Sequence, residues 1–102
     1  MKFLAMSKRL PGVSDTQVMA QTEAEALAVF KHMQSGAFDQ IHFSRDWKGA
    51  VLFVNAASRE AALAILAELP MVRERCITFD LYELAPFDHY QRLFKDQYRA
   101  AT

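Results

Sequence analysis

A chain of 102 residues, 52% hydrophobic with only three Gly and three Pro, has material for one core and none for long disordered linkers. Its 12 Lys+Arg balance 12 Asp+Glu, leaving no positive excess to neutralise phosphates or to hold an anionic membrane surface. Nucleic acid and membrane are therefore not expected partners, while the absence of net self-repulsion permits copies of the chain to associate.

The opening MKFLAMSKRLPG has an apolar run too short for a signal-peptide core, interrupted by Lys8-Arg9. No window approaches the ~20 apolar residues that span a bilayer. Cys76 is the single cysteine, so it has no internal disulfide partner, and no Cys or His stands near it at zinc-ligand spacing. A reduced, cytoplasmic setting is expected, with Cys76 a small apolar strand residue.

In chain order, Lys2 to Lys8 carries apolar side chains on both alternating faces and predicts a strand covered on both sides. Leu10-Pro11-Gly12 breaks it. Ser14-Asp15-Thr16-Gln17 is a capping box, and Met19, Ala26, Leu27, Phe30 and Met33 follow at spacings of one helical face. Gly36 stands where a left-handed helix end is wanted, so the first helix is predicted from Asp15 to Ser35.

Two strands follow, Phe38 to Ser44 and Ala50 to Ala56, joined by the hairpin loop Arg45-Asp46-Trp47-Lys48-Gly49. Ile41 and Phe43 point one way in the first, Gln40, His42 and Ser44 the other. Ser58 caps a second helix with the stripe Ala62, Leu63, Leu66 and Leu69. Pro70 stops it, because proline lacks the amide to continue and pushes Leu69 to extended geometry. Arg75 to Leu84 predicts the last strand, with Ile77, Phe79 and Leu81 on one face and Thr78, Asp80 and Tyr82 on the other. Asp88 then caps a terminal helix whose Tyr90, Phe94 and Tyr98 repeat every four residues; such an aromatic stripe should dock on its own domain or on a second subunit.

The order β-α-β-β-α-β plus a helix, over residues 1–102 as a single domain, predicts an α+β, ferredoxin-like four-stranded antiparallel sheet with both crossover helices on one face. Two helices cover only one face, yet the first and third strands are apolar on both. The cheapest cover is the same face of another copy, so a homodimer, possibly a higher oligomer, is expected.

The stretch from Trp47 to Phe87 resembles the dimeric α+β barrel superfamily, and within it the muconolactone delta-isomerase-like family. The matching features are the hairpin entering Lys48-Gly49-Ala50-Val51-Leu52-Phe53-Val54, the Ala/Leu-rich helix ending in Leu69-Pro70-Met71, and the strand closing as Tyr82-Glu83-Leu84-Ala85-Pro86. The resemblance implies a cofactor-free small-molecule pocket between sheet and helices, in dimers or larger rings. It implies isomerisation of unsaturated lactones or cofactor-free monooxygenation among the activities, and assigns no residue here to the isomerase's catalytic group.

The residues themselves nominate Asp80 and His42 as catalytic. Asp80 is a carboxylate between Phe79 and Leu81 in a strand expected to be well buried, and a desolvated carboxylate exchanges protons near neutrality. The alternative is an Asp at a wet dimer seam or paired with an arginine of the partner. His42, with an unperturbed pKa of about 6.5, suits acid-base work or donation to an enolate oxygen; it can equally be a half-buried strand histidine. Arg45 and Trp47 can form a lid with a carboxylate clamp, or Trp47 can pack at the subunit interface. Tyr82 offers a hydroxyl donor and Tyr90 a pocket wall, although a helical stripe at that spacing is commonly packing. His32 is expected on a solvated helix face and His89 at a helix start.

There is no metal-ligand signature, no glycine-rich phosphate loop and no Gly-x-Ser-x-Gly elbow. The expectation is a cofactor-independent enzyme that isomerises an apolar or aromatic-derived metabolite by proton transfer. A cofactor-free monooxygenase and a non-catalytic binding or assembly module stand as alternatives.

Overall fold

The computed structural model describes residues 1–94. Its strands are β1 (Lys2–Arg9), β2 (Phe38–Phe43), β3 (Ala50–Asn55) and β4 (Ile77–Leu84). Its helices are α1 (Asp15–Met19), α2 (Thr22–Ser35), α3 (Arg59–Ala67) and α4 (Pro70–Arg73), followed by a 3-10 helix at His89–Phe94. The strands form one antiparallel sheet in the order β2-β3-β1-β4, which is the ferredoxin-like α+β arrangement.

Local chemistry accounts for most boundaries. At Ser14 both halves of the capping box form: the Ser14 hydroxyl accepts from the Gln17 amide at 3.2 Å, and the Gln17 side chain accepts from the Ser14 amide at 2.8 Å. Ser58 caps α3 by accepting from the Ala61 amide at 3.1 Å. Gly36 closes α2 at φ 83, a left-handed conformation that only glycine adopts without a Cβ penalty.

Each strand shifts at one end by one or two residues, and two helix predictions change more. The expected helix from Asp15 to Ser35 is two helices, because the Gln21 amide bonds to the Val18 carbonyl at 3.0 Å, one residue short of α-helical reach. Pro70 does more than stop α3. Leu69 is extended (φ −65, ψ 131), as the residue before proline should be, and Pro70 then sits in the first turn of α4, where its missing amide costs nothing.

The alternation of β1 and β3 sorts cleanly. Phe3, Ala5, Leu52 and Val54 are buried under the helices, together with Phe38, Ala62, Leu66 and Leu69. Leu63, expected in the α3 stripe, is instead exposed. Phe38 and Ile41 reach the same face despite their odd spacing because the β2–β3 register slips between Phe38 and Gln40, leaving Asp39 as the extra residue. Asp39 is held there by Lys2 and by the Asn55 side-chain amide, the latter at 2.7 Å.

His32, expected on a solvated face, is largely covered: its ring lies 4.9 Å from that of Phe38 and its Nε2 is 3.2 Å from Glu68. Cys76 is buried, as a small apolar residue would be, but it lies just before β4 and not in the strand. The aromatic terminal segment does not dock on its own domain: Phe87, Tyr90, Leu93 and Phe94 are all exposed. Tyr98, the last member of that stripe, lies outside the described residues. Among the described residues no helix is long and apolar enough to cross a membrane.

Candidate functional site

A trough of about 980 Å³ opens between the helix-covered face of the sheet and α2, at the upper end of the range for small-molecule sites. Its position follows from the sheet order. With β2 at the edge, α2 leans on β2 and α4 and leaves a gap over the end of the sheet near Ser7 and Ala50. The floor is Ser7, Ile41, Leu52 and Phe79; the helix wall is Glu25, Val29, Phe30 and Met33. Phe43 points from β2 into the open end and is 90% exposed.

The end wall is the β2–β3 hairpin. The Ser44 hydroxyl accepts from the amides of Asp46 and Trp47 at 3.0 and 3.3 Å, which folds the loop back on itself. The Trp47 indole then donates to the Ser7 carbonyl at 2.9 Å, and the Ser7 hydroxyl accepts from the Ala50 amide at 2.7 Å. Gly49 permits this closure: a Cβ there would run into both the Ser7 carbonyl and the Trp47 indole. At the mouth, Asp15 meets Arg9 at 2.5 Å and Lys48 at 3.6 Å. The hydrogen bond from Arg9, with help from Lys48, holds the Asp15 carboxyl below its ordinary range.

Glu25 is the unusual group in this trough. It is half-buried in the α2 wall and accepts a hydrogen bond from the Met71 amide at 3.0 Å. Burial pushes its carboxyl above the ordinary 4.5, against the weaker opposing pulls of the Met71 amide and of Arg73. Sequence reasoning missed it. The signal available was its place in TEAEALAVF, four residues before Val29 and eight before Met33, which puts it on the wall that faces the sheet. The stripe predicted for this helix was rotated instead toward Leu27 and Phe30, both now more than half exposed.

Of the residues nominated from sequence, His42, Arg45 and Trp47 border the trough and Asp80, Tyr82 and Tyr90 do not. Asp80 is not desolvated in the single chain. Its side chain is 48% exposed and pairs with Lys8 at 3.3 Å, because β4 is an edge strand. The register does place Asp80, Tyr82 and His42 on one face, the face away from the helices. His42 is level with Val51, Val51 with Met6, and Met6 with Asp80. That row spans the whole sheet, so His42 and Asp80 stand about 14 Å apart at the ~4.8 Å spacing of neighbouring strands. His42 shares a hydrogen bond with the Gln40 side chain at 3.1 Å. Tyr90 lies on the 3-10 helix beside Phe87, with ring centroids 5.6 Å apart.

A second hollow of about 430 Å³ is formed by Asp88, His89, Gln91 and Arg92 alone. One short helix supplies all its walls, so it lacks the convergent elements of a binding site. Among the described residues no group of three His, Cys, Asp or Glu is placed to hold a metal ion.

No protein-family model matches the chain, and no curated protein sequence matches it. Among solved structures, the chain is similar to 5-chloro-2-hydroxyhydroquinone dehydrochlorinase from Burkholderia phenoliruptrix, in complex with 2,5-dihydroxybenzoquinone. The two share 16% identity with a TM-score of 0.69, over 87% of this chain and 98% of that one. At this identity the likeness is one of fold, and it agrees with the α+β sheet described above.

Proposed function

We propose that this chain is a cofactor-independent enzyme for a planar, apolar or aromatic-derived small molecule, which it isomerises by proton transfer in the trough between α2 and the sheet. The observation that carries this reading is Glu25: a carboxyl raised by burial, facing an otherwise largely apolar space large enough for a ring. A carboxyl poised above its usual range removes a proton beside a carbonyl and returns it to another carbon of the same conjugated system. Phe43 and Trp47 offer flat surfaces for the ring. Arg45 and Lys48 at the same end of the trough suit a carboxylate or an ionised hydroxyl on the substrate. The quinone bound by the dehydrochlorinase of like fold is a ligand of this class, and its occurrence there supports trying that class here.

In this reading Glu25 takes the proton-carrying role that the sequence alone suggested for Asp80. The face of the sheet away from the helices, with Leu4, Met6, Val51 and Phe53 at its centre, packs on the same face of a second copy.

The test has two readouts. Trp47 is the sole tryptophan, so titration with 2,5-dihydroxybenzoquinone should quench its fluorescence saturably, and Phe43→Ala and Arg45→Ala should weaken that binding. Incubation with unsaturated lactones in D₂O should place deuterium beside the carbonyl, and Glu25→Gln should slow that exchange by two orders of magnitude or more, about the usual contribution of a general base. Unsaturable quenching together with no exchange on any lactone rejects the reading. Oxygen consumption without exchange replaces it with the monooxygenase alternative.

A further inference from the structure

On β1, Phe3, Ala5 and Ser7 alternate onto the helix-covered face, and Ser7 interrupts an apolar series. Its side chain lies on the floor of the trough beside Ile41, Leu52 and Phe79, with only 5% of the residue exposed. A hydroxyl in such surroundings costs free energy unless its hydrogen bonds are made. One of them is: Oγ accepts from the Ala50 amide at 2.7 Å. A hydroxyl also has a proton to donate, and among the described residues no acceptor lies within hydrogen-bond distance of it.

The donor is fixed in place before any ligand arrives. The Ser7 carbonyl takes the Trp47 indole at 2.9 Å and Oγ takes Ala50, so backbone and side chain are both tied to the hairpin. Accepting from an amide polarises the O–H bond and makes it a stronger donor. Glu25 stands in the α2 wall of the same trough, and the two groups are complementary: a carboxylate that accepts and a hydroxyl that gives. A carbonyl compound answers both, with an acidic C–H beside an oxygen that can take charge. Arg9 and Lys48 are already drawn to Asp15 at the mouth, which leaves the floor to Ser7.

We infer that Ser7 is a further catalytic residue of this site: its hydroxyl holds the ligand's carbonyl oxygen on the trough floor and stabilises the enolate formed there. This rests on the proton-transfer reading above and narrows the ligand to one that enters carbonyl first. The Glu25 carboxylate takes a proton from the carbon beside the carbonyl. The C–H electron pair becomes a C=C bond, and the carbonyl π pair moves onto oxygen. Ser7 keeps its own proton and strengthens its hydrogen bond to that oxygen. Glu25 then returns its proton to the far carbon of the conjugated system, and the C=O bond reforms. No co-reactant is needed. A donor already aimed where charge develops is what makes such stabilisation effective.

Coumarin, a planar aromatic lactone with no proton to move between its unsaturated carbons, tests the anchor apart from the chemistry. Trp47 quenching follows its binding, and difference infrared with a ¹³C-labelled carbonyl follows its C=O stretch. Bound to the wild-type protein, the stretch should lie below its value in dry hydrocarbon solvent, and Ser7→Ala should move it up. Equal stretches in the two proteins overturn the inference. So does coumarin that fails to bind while 2,5-dihydroxybenzoquinone still quenches Trp47, and the trough reading survives that result. If Ser7→Ala does not fold, Ser7→Cys replaces it, because its sulfur can still accept from Ala50 and its thiol is a weak donor. On lactones that exchange in D₂O, Ser7→Ala should lower kcat by about 10²–10³ with KM little changed, the usual loss for one such donor. Ser7→Thr, which keeps the hydroxyl, should retain most of the rate. An unchanged kcat in Ser7→Ala, or an equal loss in Ser7→Thr, removes the catalytic role. No exchange on any lactone, with a coumarin stretch that still depends on Ser7, rejects the isomerase reading and leaves Ser7 as the carbonyl anchor.

Discussion

The two faces of this sheet are made of nearly the same residues and do different work. On the helix side, Phe3, Ala5, Leu52 and Val54 are sealed. One residue along each strand, Leu4, Met6, Val51 and Phe53 are only partly covered. Alternating apolar residues on both sides require two covers, and the described residues supply one. The difference teaches that burial in a single chain measures topology as much as hydrophobicity. Each face also holds a carboxylate: Glu25 packs against the covered one and Asp80 stands on the open one. Burial raises the proton affinity of Glu25, whereas Asp80 is about half exposed beside Lys8.

The contrast can be broken most severely from the sealed side. Phe3→Ala should cost about 3–5 kcal/mol in chemical denaturation, the usual penalty for emptying a closed core site. Phe53→Asp, on the open face, should leave the circular dichroism of the dilute protein native while halving the mass seen in sedimentation. If instead Phe53→Asp unfolds the dilute chain, the open face is already part of the protomer's own core.

A smaller effect is expected where the two ends of the trough meet the sheet. Gly49→Ala should destabilise by about 1–3 kcal/mol, the usual range for overpacking. It should also shift Trp47 emission to the red as the indole leaves the Ser7 carbonyl.

The smallest effect is a change of sign with pH. The Glu25 carboxyl is raised on folding, so the native state holds its proton more tightly than the unfolded chain does. Stability from this residue is therefore full below the ordinary value near 4.5 and falls as pH climbs through the raised value. Glu25→Gln should accordingly be at least as stable as wild type at neutral pH and lose that advantage in acid. Asp15 and Asp39 are held low, chiefly by hydrogen bonds from Arg9 and Lys2 respectively. They act in the opposite sense: what they contribute is present at neutral pH and lost as pH falls through their depressed values. Parallel melts from pH 3 to 8 of wild type, Glu25→Gln and Asp39→Asn separate the two signs.

What was legible in the sequence was chemistry that acts over three or four residues. Ser14 and Gln17 cap each other, Gly36 takes the left-handed position and Leu69 is extended before Pro70, all fixed by neighbours in the chain. Strand alternation, a period-two property, also set Asp80 and Tyr82 on the side of β4 opposite Phe79 and Leu81; that His42 shares their face is decided by the register across four strands. The failures lie where the answer depends on partners distant in sequence. That Asp80 sits on an edge strand is a matter of sheet order, which its flanking Phe79 and Leu81 do not encode. The rotation of α2 is set by its seat on β2 and by the Met71 amide, 46 residues away from Glu25. Once the helix breaks near Ala20, the stripe extrapolated from Met19 no longer indicates which side faces the sheet. Glu25 was hidden by that error of phase.

Among the described residues, Ser7 is the one buried polar residue. Its hydroxyl takes the β3 amide of Ala50 just beyond the Met6–Val51 pair that ends the β1–β3 ladder, and its carbonyl takes the Trp47 indole. The hairpin tip is thereby a rigid extension of the sheet and not a flap hung from it. A ligand entering the trough meets an end wall already in place, and little loop ordering has to be set against its binding energy. Under the proposed function, specificity at that end would be decided by the fixed outline of an indole ring, and adjusting it to a new substrate would call for changing Trp47 itself.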